Sequence, residues 1–142
     1  MLIEPINNKS ADIAAILSAE KLPVDDLPGT LDNFLAATEN GLTIGVVGLE
    51  IYGVYGLLRS LAVLPGYRGK GIAGKLIEQL ESLAARSGLK ALYLLTETAP
   101  EYFAGKGFQK ITRDEVPDEV KQSSEFSHVC PVSAIVMKKS IN

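Results

Sequence analysis

Apolar residues along the chain recur with two periods, one typical of strands and one typical of helices. Short runs rich in apolar and β-branched residues, separated by glycine, proline or asparagine, predict strands. The predicted strands are Leu2–Ile6, Asn33–Thr38, Leu42–Ile51, Tyr55–Leu64, Leu89–Thr96, Phe108–Arg113 and Ser133–Lys139. The Asn40-Gly41 pair is a strong hairpin signal, so we expect the strands on either side of it to pair antiparallel.

Helical periodicity is clearest over Ala73–Ser87. Its apolar stripe consists of Leu76, Ile77, Leu80, Leu83 and Ala84. Gly88 follows as a natural helix stop. Shorter helices are predicted after the N-cap residue Ser10, over Ala99–Lys106 and over Pro117–Ser124.

The order of these elements predicts the fold class. Residues 23–31 contain two prolines and a glycine, so we expect a loop there. Strands at both ends of the chain, with helices between them, predict an α/β fold (an α+β mixed sheet) in one domain over residues 1–142.

Composition excludes several classes of protein. The chain is 46% hydrophobic and 22% charged, as soluble globular proteins are. A net charge of -3 argues against binding nucleic acid, and no apolar run approaches the ~20 residues of a membrane helix. One histidine and one cysteine are too few for a zinc site or an internal disulfide, so no metal is expected. The first residues lack the features of a signal peptide, so we expect a cytoplasmic protein.

A glycine-rich stretch, Arg68-Gly69-Lys70-Gly71-Ile72-Ala73-Gly74, joins a predicted strand to the longest predicted helix. A helix N-terminus presents unpaired N–H groups and the positive end of the helix dipole. Glycines leave this backbone open, while Arg68, Lys70 and Lys75 add positive charge. The stretch therefore predicts an anion site suited to phosphate or pyrophosphate; the alternative is a turn rich in glycine for geometry alone.

Two common nucleotide motifs fit this stretch poorly. Gly69, Gly71 and Gly74 satisfy the bare dinucleotide pattern, but they follow predicted antiparallel strands instead of a first parallel strand. A P-loop requires serine or threonine after its lysine, whereas Leu76 follows Lys75.

The segment from Leu61 to Ala73 resembles motif A of the GCN5-related N-acetyltransferase (GNAT) family. The motif's core, Arg/Gln-x-x-Gly-x-Gly/Ala, is matched by Arg68, Gly71 and Ala73. Residues 91–108 are similar to the strand, short helix and turn that follow motif A in that family. Because the predicted elements agree in order from end to end, the resemblance implies a mostly antiparallel central sheet, splayed at the motif A strand and flanked by helices.

The resemblance also implies a cosubstrate and a reaction. Acetyl-CoA would donate its acetyl group directly to the amine of a small molecule, with no enzyme-bound intermediate. The pantetheine arm would pair with the strand ending at Val63, and amides from Arg68 to Gly74 would hold the pyrophosphate. The cofactor-binding residues implied are Leu61, Ala62, Val63, Arg68, Gly69, Lys70, Gly71, Ile72, Ala73, Gly74, Thr96 and Phe103. Family members are often dimers, which allows a homodimer.

The candidate catalytic residues depart from the family's usual set. Phe103 stands where many members carry a tyrosine that protonates the leaving thiolate, and Thr96 where asparagine is common. Tyr102 is the neighbouring candidate acid, with packing as its alternative role. Glu50 and Glu97 lie near predicted strand ends, and either could act as a base through water.

Arg59 is the most informative charged residue outside the glycine turn. Strand alternation places it on one face with Leu57, Leu61 and Val63. An arginine among apolar neighbours needs an anionic partner. That partner is either a substrate carboxylate or phosphinate, or an internal glutamate, Glu50 or Glu97.

A narrower resemblance, to the arsenic-resistance-associated N-acetyltransferases, is seen in residues 57–63, 93–98 and 126–134. That subgroup implies amino-acid-like acceptors such as arsinothricin or phosphinothricin. The candidate substrate-binding residues are then Arg59, Glu97 and His128. Two other functions stay open: an acyl-CoA-binding sensor or interaction domain without turnover, which the departures at Thr96 and Phe103 favour, and a protein N-acetyltransferase.

Overall fold

The computed structural model describes residues 1–5, 15–17, 33–123 and 134–141. Residues 15–17 are helical, in agreement with the helix predicted after Ser10. The loop predicted over residues 23–31, the candidate residue His128 and the single cysteine, Cys130, lie outside the described residues.

Within these described ranges, seven strands form one mixed sheet in the order β1-β2-β3-β4-β5-β7-β6. They are β1 Leu2–Pro5, β2 Phe34–Glu39, β3 Leu42–Tyr52, β4 Tyr55–Val63, β5 Ala91–Thr96, β6 Gln109–Ile111 and β7 Ile135–Ser140. The pairs β1–β2, β2–β3, β5–β7 and β6–β7 are antiparallel, while β4 and β5 run parallel. The predicted fold class, a mostly antiparallel sheet flanked by helices, is confirmed.

Three helices are complete within the described part of the chain. They are α1 Ile72–Arg86, α2 Pro100–Gly105 and α3 Asp118–Lys121, and short 3-10 turns occur at Pro65–Tyr67 and Arg113–Glu115. None of the helices described is long and apolar enough to cross a membrane. Helix α1 buries four of the five residues of its predicted apolar stripe, Leu76, Ile77, Leu80 and Ala84, while Leu83 is half-buried.

The chain divides into two compact units. The first unit consists of residues 1–49 and 59–82, and the second of residues 50–58 and 83–142. The predicted single domain over residues 1–142 is not tested by this division and stays a prediction.

The first unit contains the start of helix α1 and the strands that support it. Its core cluster consists of Ile16, Leu17, Phe34, Val46 and Ala62. A Cβ placed on Gly45 of β3 would lie 3.1 Å from Leu76 Cδ1 and 3.4 Å from Ile72 Cγ2. The absence of a side chain at Gly45 therefore lets the first turns of α1 approach β3 closely.

The second unit packs α3 against strands β4, β5 and β7. Its core cluster consists of Leu57, Ala91, Tyr93, Val116, Val120 and Val136. The parallel register of β4 with β5 runs from Tyr55–Ala91 to Leu57–Tyr93. On its other side, β5 pairs with β7 along its whole length to Thr96. The splay predicted at the motif A strand stays a prediction.

Two strand starts differ from the sequence prediction for the same reason. Strand β5 begins at Ala91 instead of Leu89, because the Leu89 N–H closes helix α1 by donating to the Ala84 carbonyl at 3.0 Å. Strand β6 begins after Phe108, whose N–H donates to the Phe103 carbonyl at 3.0 Å. In both places a hydrogen bond to the preceding helix displaces a pairing in the sheet.

Candidate active site

The glycine turn leads from strand β4 into helix α1. Gly69 and Gly71 both have a φ of +78°, which favours glycine over every other residue. Helix α1 begins at Ile72, and the Lys75 N–H donates to the Gly71 carbonyl at 3.1 Å. The N–H groups of residues 72–74 precede this first helical bond, so they have no partner within the helix.

The turn is open to solvent on its glycine side. A Cβ placed on Gly66, Gly69 or Gly71 would meet no atom within 4 Å. Residues 68–71 are exposed. Gly74 lies inside α1 without a left-handed φ, so only Gly69 and Gly71 need glycine's conformational freedom. This open cradle of backbone N–H groups fits a pyrophosphate.

Two of the three cations around the turn also support its structure. The Arg68 Nε donates to the Val63 carbonyl at 3.3 Å, which links the turn to the end of β4. The Lys70 Nζ lies 5.4 Å from the centroid of the Tyr67 ring, a cation–π distance. Lys75 is exposed on the first turn of α1. The Arg68 N–H donates to the Pro65 carbonyl at 3.4 Å. Because this amide already has a partner, the set of backbone amides predicted to bind an anion is reduced to residues 69–74.

Strand β4 carries the other predicted residues of the first unit. Ala62 and Val63 are buried and Leu61 is half-buried. Arg59 is only 2% exposed, and its Nε donates to the Ser60 Oγ at 3.0 Å. Ser60 has a φ of +61°. This left-handed residue interrupts the regular alternation predicted along the strand, and sequence analysis missed it because serine rarely adopts that conformation.

Glu50, one candidate base, lies near the end of β3 in the second unit. It is half-buried, and the Tyr52 hydroxyl donates to its Oε1 at 2.5 Å. The Tyr52 side chain packs against the core cluster of the second unit. Tyr52 was not among the residues predicted from sequence, and it holds one oxygen of the candidate base.

Thr96 and Phe103 hold the connection from β5 to α2. Thr96 is buried, and its Oγ1 accepts a hydrogen bond from the Ala99 N–H at 3.1 Å. Phe103 is buried edge-on against Phe108, with ring centroids 5.8 Å apart. Glu97, which follows Thr96, is exposed.

Tyr102, the candidate acid, lies on the exposed side of α2. It is 40% exposed, and its ring stands edge-on to Phe103 with centroids 5.5 Å apart. The Lys106 Nζ lies 5.6 Å from the Tyr102 ring centroid. Partial burial raises the pKa of the Tyr102 hydroxyl above its usual value near 10, so the group is protonated at neutral pH.

The structure therefore places the predicted site residues in two sets. The first unit brings together Arg59, the end of β4 and the glycine turn, while the second unit contains Glu50, Glu97 and the residues around α2. Over the described ranges, no three His, Cys, Asp or Glu side chains are grouped as they would be around a metal ion.

A mixed sheet whose fourth strand leads through an exposed glycine turn into a helix has the features expected of a site for a phosphorylated cofactor. Residues 30–110, more than half of the chain, match the family model described as acetyltransferase (GNAT) domain. The chain belongs to the GNAT acetyltransferase family, as its motif A predicted.

Known relatives share this domain. An amino-acid acetyltransferase of Ralstonia nicotianae is 28% identical over 140 residues, which are 97% of this chain and 29% of that protein. The chain thus spans less than a third of the length of that relative. The N-acetylglutamate synthase of Neisseria gonorrhoeae, solved with coenzyme A and N-acetyl-glutamate, has a TM-score of 0.84 at 20% identity, over 99% of this chain and 35% of that one. A Mycobacterium tuberculosis protein solved with CoA also has a TM-score of 0.84, at 21% identity over 99% of both chains. At these identities the solved structures establish the fold.

Proposed function

We propose that this chain is an acetyl-CoA-dependent N-acetyltransferase that acts by direct transfer on the amino group of a small amino acid or amino-acid-like molecule. The observation that carries the proposal is the glycine turn at Arg68–Gly74, exposed over residues 68–71, where two left-handed glycines open the start of α1. Membership of the GNAT family supports the reaction. The amino-acid acetyltransferase of Ralstonia nicotianae supports the class of acceptor.

Acetyl-CoA supplies the activated thioester in this proposal. The amides of residues 69–74 and the charges of Arg68, Lys70 and Lys75 would hold its pyrophosphate. The backbone of Leu61–Val63 would pair with the pantetheine arm. Thr96 and Phe103 are proposed to contact the cofactor, as the family resemblance implies.

The proposed reaction needs a neutral amine, a base and an acid. The amine nitrogen forms a bond to the thioester carbonyl carbon as the carbon–sulfur bond breaks. Glu50 or Glu97 would take the amine's proton through a water molecule. Tyr102 would return a proton to the thiolate from its hydroxyl, which is protonated at neutral pH. Tyr52 would orient Glu50 through the hydrogen bond to Oε1.

Arg59 would bind the acidic group of the acceptor. A buried guanidinium can form two parallel hydrogen bonds to a carboxylate or a phosphinate. Glu97 and His128 would be further substrate-binding residues. An acceptor of the arsinothricin or phosphinothricin type, as the subgroup resemblance implies, carries an acidic group that Arg59 would bind. An internal pair of Arg59 with Glu50 or Glu97 is the alternative. We also propose that the protein is cytoplasmic and that it can form a homodimer.

A second function, an acyl-CoA-binding sensor without turnover, is favoured by one specific observation. The Thr96 Oγ1 accepts from the Ala99 N–H, and Phe103 is buried against Phe108, so both positions serve the fold. A protein N-acetyltransferase is a third function, and the buried Arg59 favours a small acidic acceptor over it.

A turnover screen separates these functions. The purified protein is incubated with acetyl-CoA and each of the common amino acids, arsinothricin, phosphinothricin and a lysine-containing peptide, and free CoA and N-acetylated product are measured. We expect acetylation of acidic amino-acid-like acceptors. CoA binding without any product would favour the sensor, and product from the peptide alone would favour protein acetylation.

A further inference from the structure

We propose that Ser60 is a positioning residue that fixes the guanidinium of Arg59 for the acidic group of the acceptor. The inference rests on the proposed function, because it assumes that Arg59 meets that group. It goes beyond that function by assigning a role in acceptor specificity to a neighbouring side chain.

The contact between the two side chains is buried. Arg59 and Ser60 are 2% and 8% exposed, and the Nε–Oγ distance is 3.0 Å. A hydrogen bond that involves a charged group is stronger than a neutral one, and burial increases the cost of losing it. The Ser60 hydroxyl therefore has a strong effect on where the Arg59 side chain lies.

A regular strand cannot make this contact. Successive side chains in a strand point to opposite faces, so neighbours such as Arg59 and Ser60 do not meet. The φ of +61° at Ser60 breaks the alternation and brings its hydroxyl to the side of Arg59. The backbone distortion and the side-chain contact are thus parts of one arrangement.

The presence of serine at this position points to a role for its hydroxyl. Glycine adopts a left-handed φ at no steric cost, whereas any residue with a Cβ is strained there. Backbone geometry alone would therefore be met best by glycine. The serine side chain adds an acceptor for the Arg59 Nε.

The hydrogen bond at Nε restricts the orientations that the guanidinium can adopt. Because the guanidinium is rigid and planar, its terminal N–H groups then point in a set direction. A carboxylate or phosphinate is bound bidentately only when these groups face it. Ser60 would thus contribute to acceptor affinity without touching the acceptor.

Ser60→Gly is the decisive variant, because it removes the hydroxyl and relieves the backbone instead of straining it. We expect the KM for the acidic acceptor to rise about fivefold, because only part of the energy of the Arg59–Ser60 hydrogen bond bears on acceptor binding, with kcat and the KM for acetyl-CoA changed less than about twofold. Ser60→Ala also removes the hydroxyl but keeps the strained backbone, and it should have the same raised acceptor KM as Ser60→Gly. An unchanged acceptor KM in both variants would overturn the proposal.

Arg59→Met separates this inference from the proposed function. If Arg59→Met raises the acceptor KM and Ser60→Gly does not, Arg59 binds the acceptor and the role of Ser60 is wrong. If a double variant with both changes has the KM of Arg59→Met alone, the two residues act together, as we expect.

A second measurement needs no turnover. The Arg59 Nε–H signal in a ¹⁵N NMR spectrum should exchange slowly with solvent, and Ser60→Gly should accelerate that exchange at least tenfold. Equal exchange in the two proteins would overturn the proposal even if no acceptor were acetylated, whereas the absence of any acetylation would contradict the proposed function.

Discussion

The Nε of Arg68 donates a hydrogen bond to the carbonyl of Val63 at 3.3 Å, so a side chain of the glycine turn is attached to the end of strand β4. This contact lies between the two segments proposed to bind acetyl-CoA, the backbone of Leu61–Val63 and the amides of residues 69–74. Arg68 therefore has two proposed roles, positive charge and attachment of the turn.

Replacing Arg68 separates these roles. Arg68→Lys retains the charge but has no donor at the position of Nε. If attachment dominates, Arg68→Lys and Arg68→Ala should both bind CoA about fivefold more weakly, the effect of one hydrogen bond. CoA affinity is measured by calorimetry. Wild-type affinity in Arg68→Lys would show instead that only the charge matters.

Local signals predicted the turns and helix ends well. Asn40 and Gly41 have φ values of +52° and +82°, as expected for the hairpin predicted there. Gly88 has a φ of +77° just after α1, and its N–H donates to the Ala85 carbonyl at 3.1 Å. Such features depend on neighbouring residues alone, so the sequence is enough to predict them.

Features that depend on an unusual backbone conformation or on one particular side-chain contact could not be predicted. A run of apolar residues around Ser60 indicates a regular strand, and nothing in it signals a left-handed serine. The hydrogen bond from Tyr52 to Glu50 joins residues two apart in a strand, where sequence alone does not identify a contact between two given side chains. Family resemblance identified the position of Phe103, while its burial against Phe108 became clear only from the structure.

The aromatic ring of Phe34 packs directly over Gly48. A Cβ on Gly48 would lie 2.5 Å from Phe34 Cζ, and Phe34 is almost fully buried. We therefore expect Gly48→Ala to lower the free energy of unfolding by about 1–3 kcal/mol through overpacking. Gly105→Ala is the matched control, because its added Cβ would meet nothing within 4 Å. Urea unfolding measures both variants, and equal stability of the two would contradict this packing.

Glu115 is stabilised in its ionised form by the residue that begins its turn. Its Oε1 accepts hydrogen bonds from the Thr112 N–H and Oγ1, each at 3.1 Å. These bonds hold the pKa of Glu115 below its usual value. The stability they contribute is fully present above the unfolded pKa, about 4.3, and is lost as the pH falls through the lower folded pKa.

A ¹³C NMR titration of the Glu115 carboxyl measures this shift. We expect an apparent pKa below about 4.3 in the wild type, and a higher value in Thr112→Val, which removes the side-chain hydrogen bond. The same pKa in both proteins would mean that the Thr112 hydroxyl does not stabilise the carboxylate.

The backbone at the start of α1 is proposed to bind the pyrophosphate of CoA. Gly71 and Gly88 flank the same helix, have φ values of +78° and +77°, and would each have open space around an added Cβ. Gly71→Val and Gly88→Val therefore strain the backbone alike, and only Gly71→Val places a side chain in the cradle. Calorimetric titration of each variant with CoA, and with pantetheine as a ligand that lacks the pyrophosphate, tests the claim most directly. We predict that Gly71→Val loses at least tenfold in CoA affinity and keeps its affinity for pantetheine. The CoA affinity of Gly88→Val should stay close to that of the wild type. Equal CoA affinities in the two variants would contradict the claim.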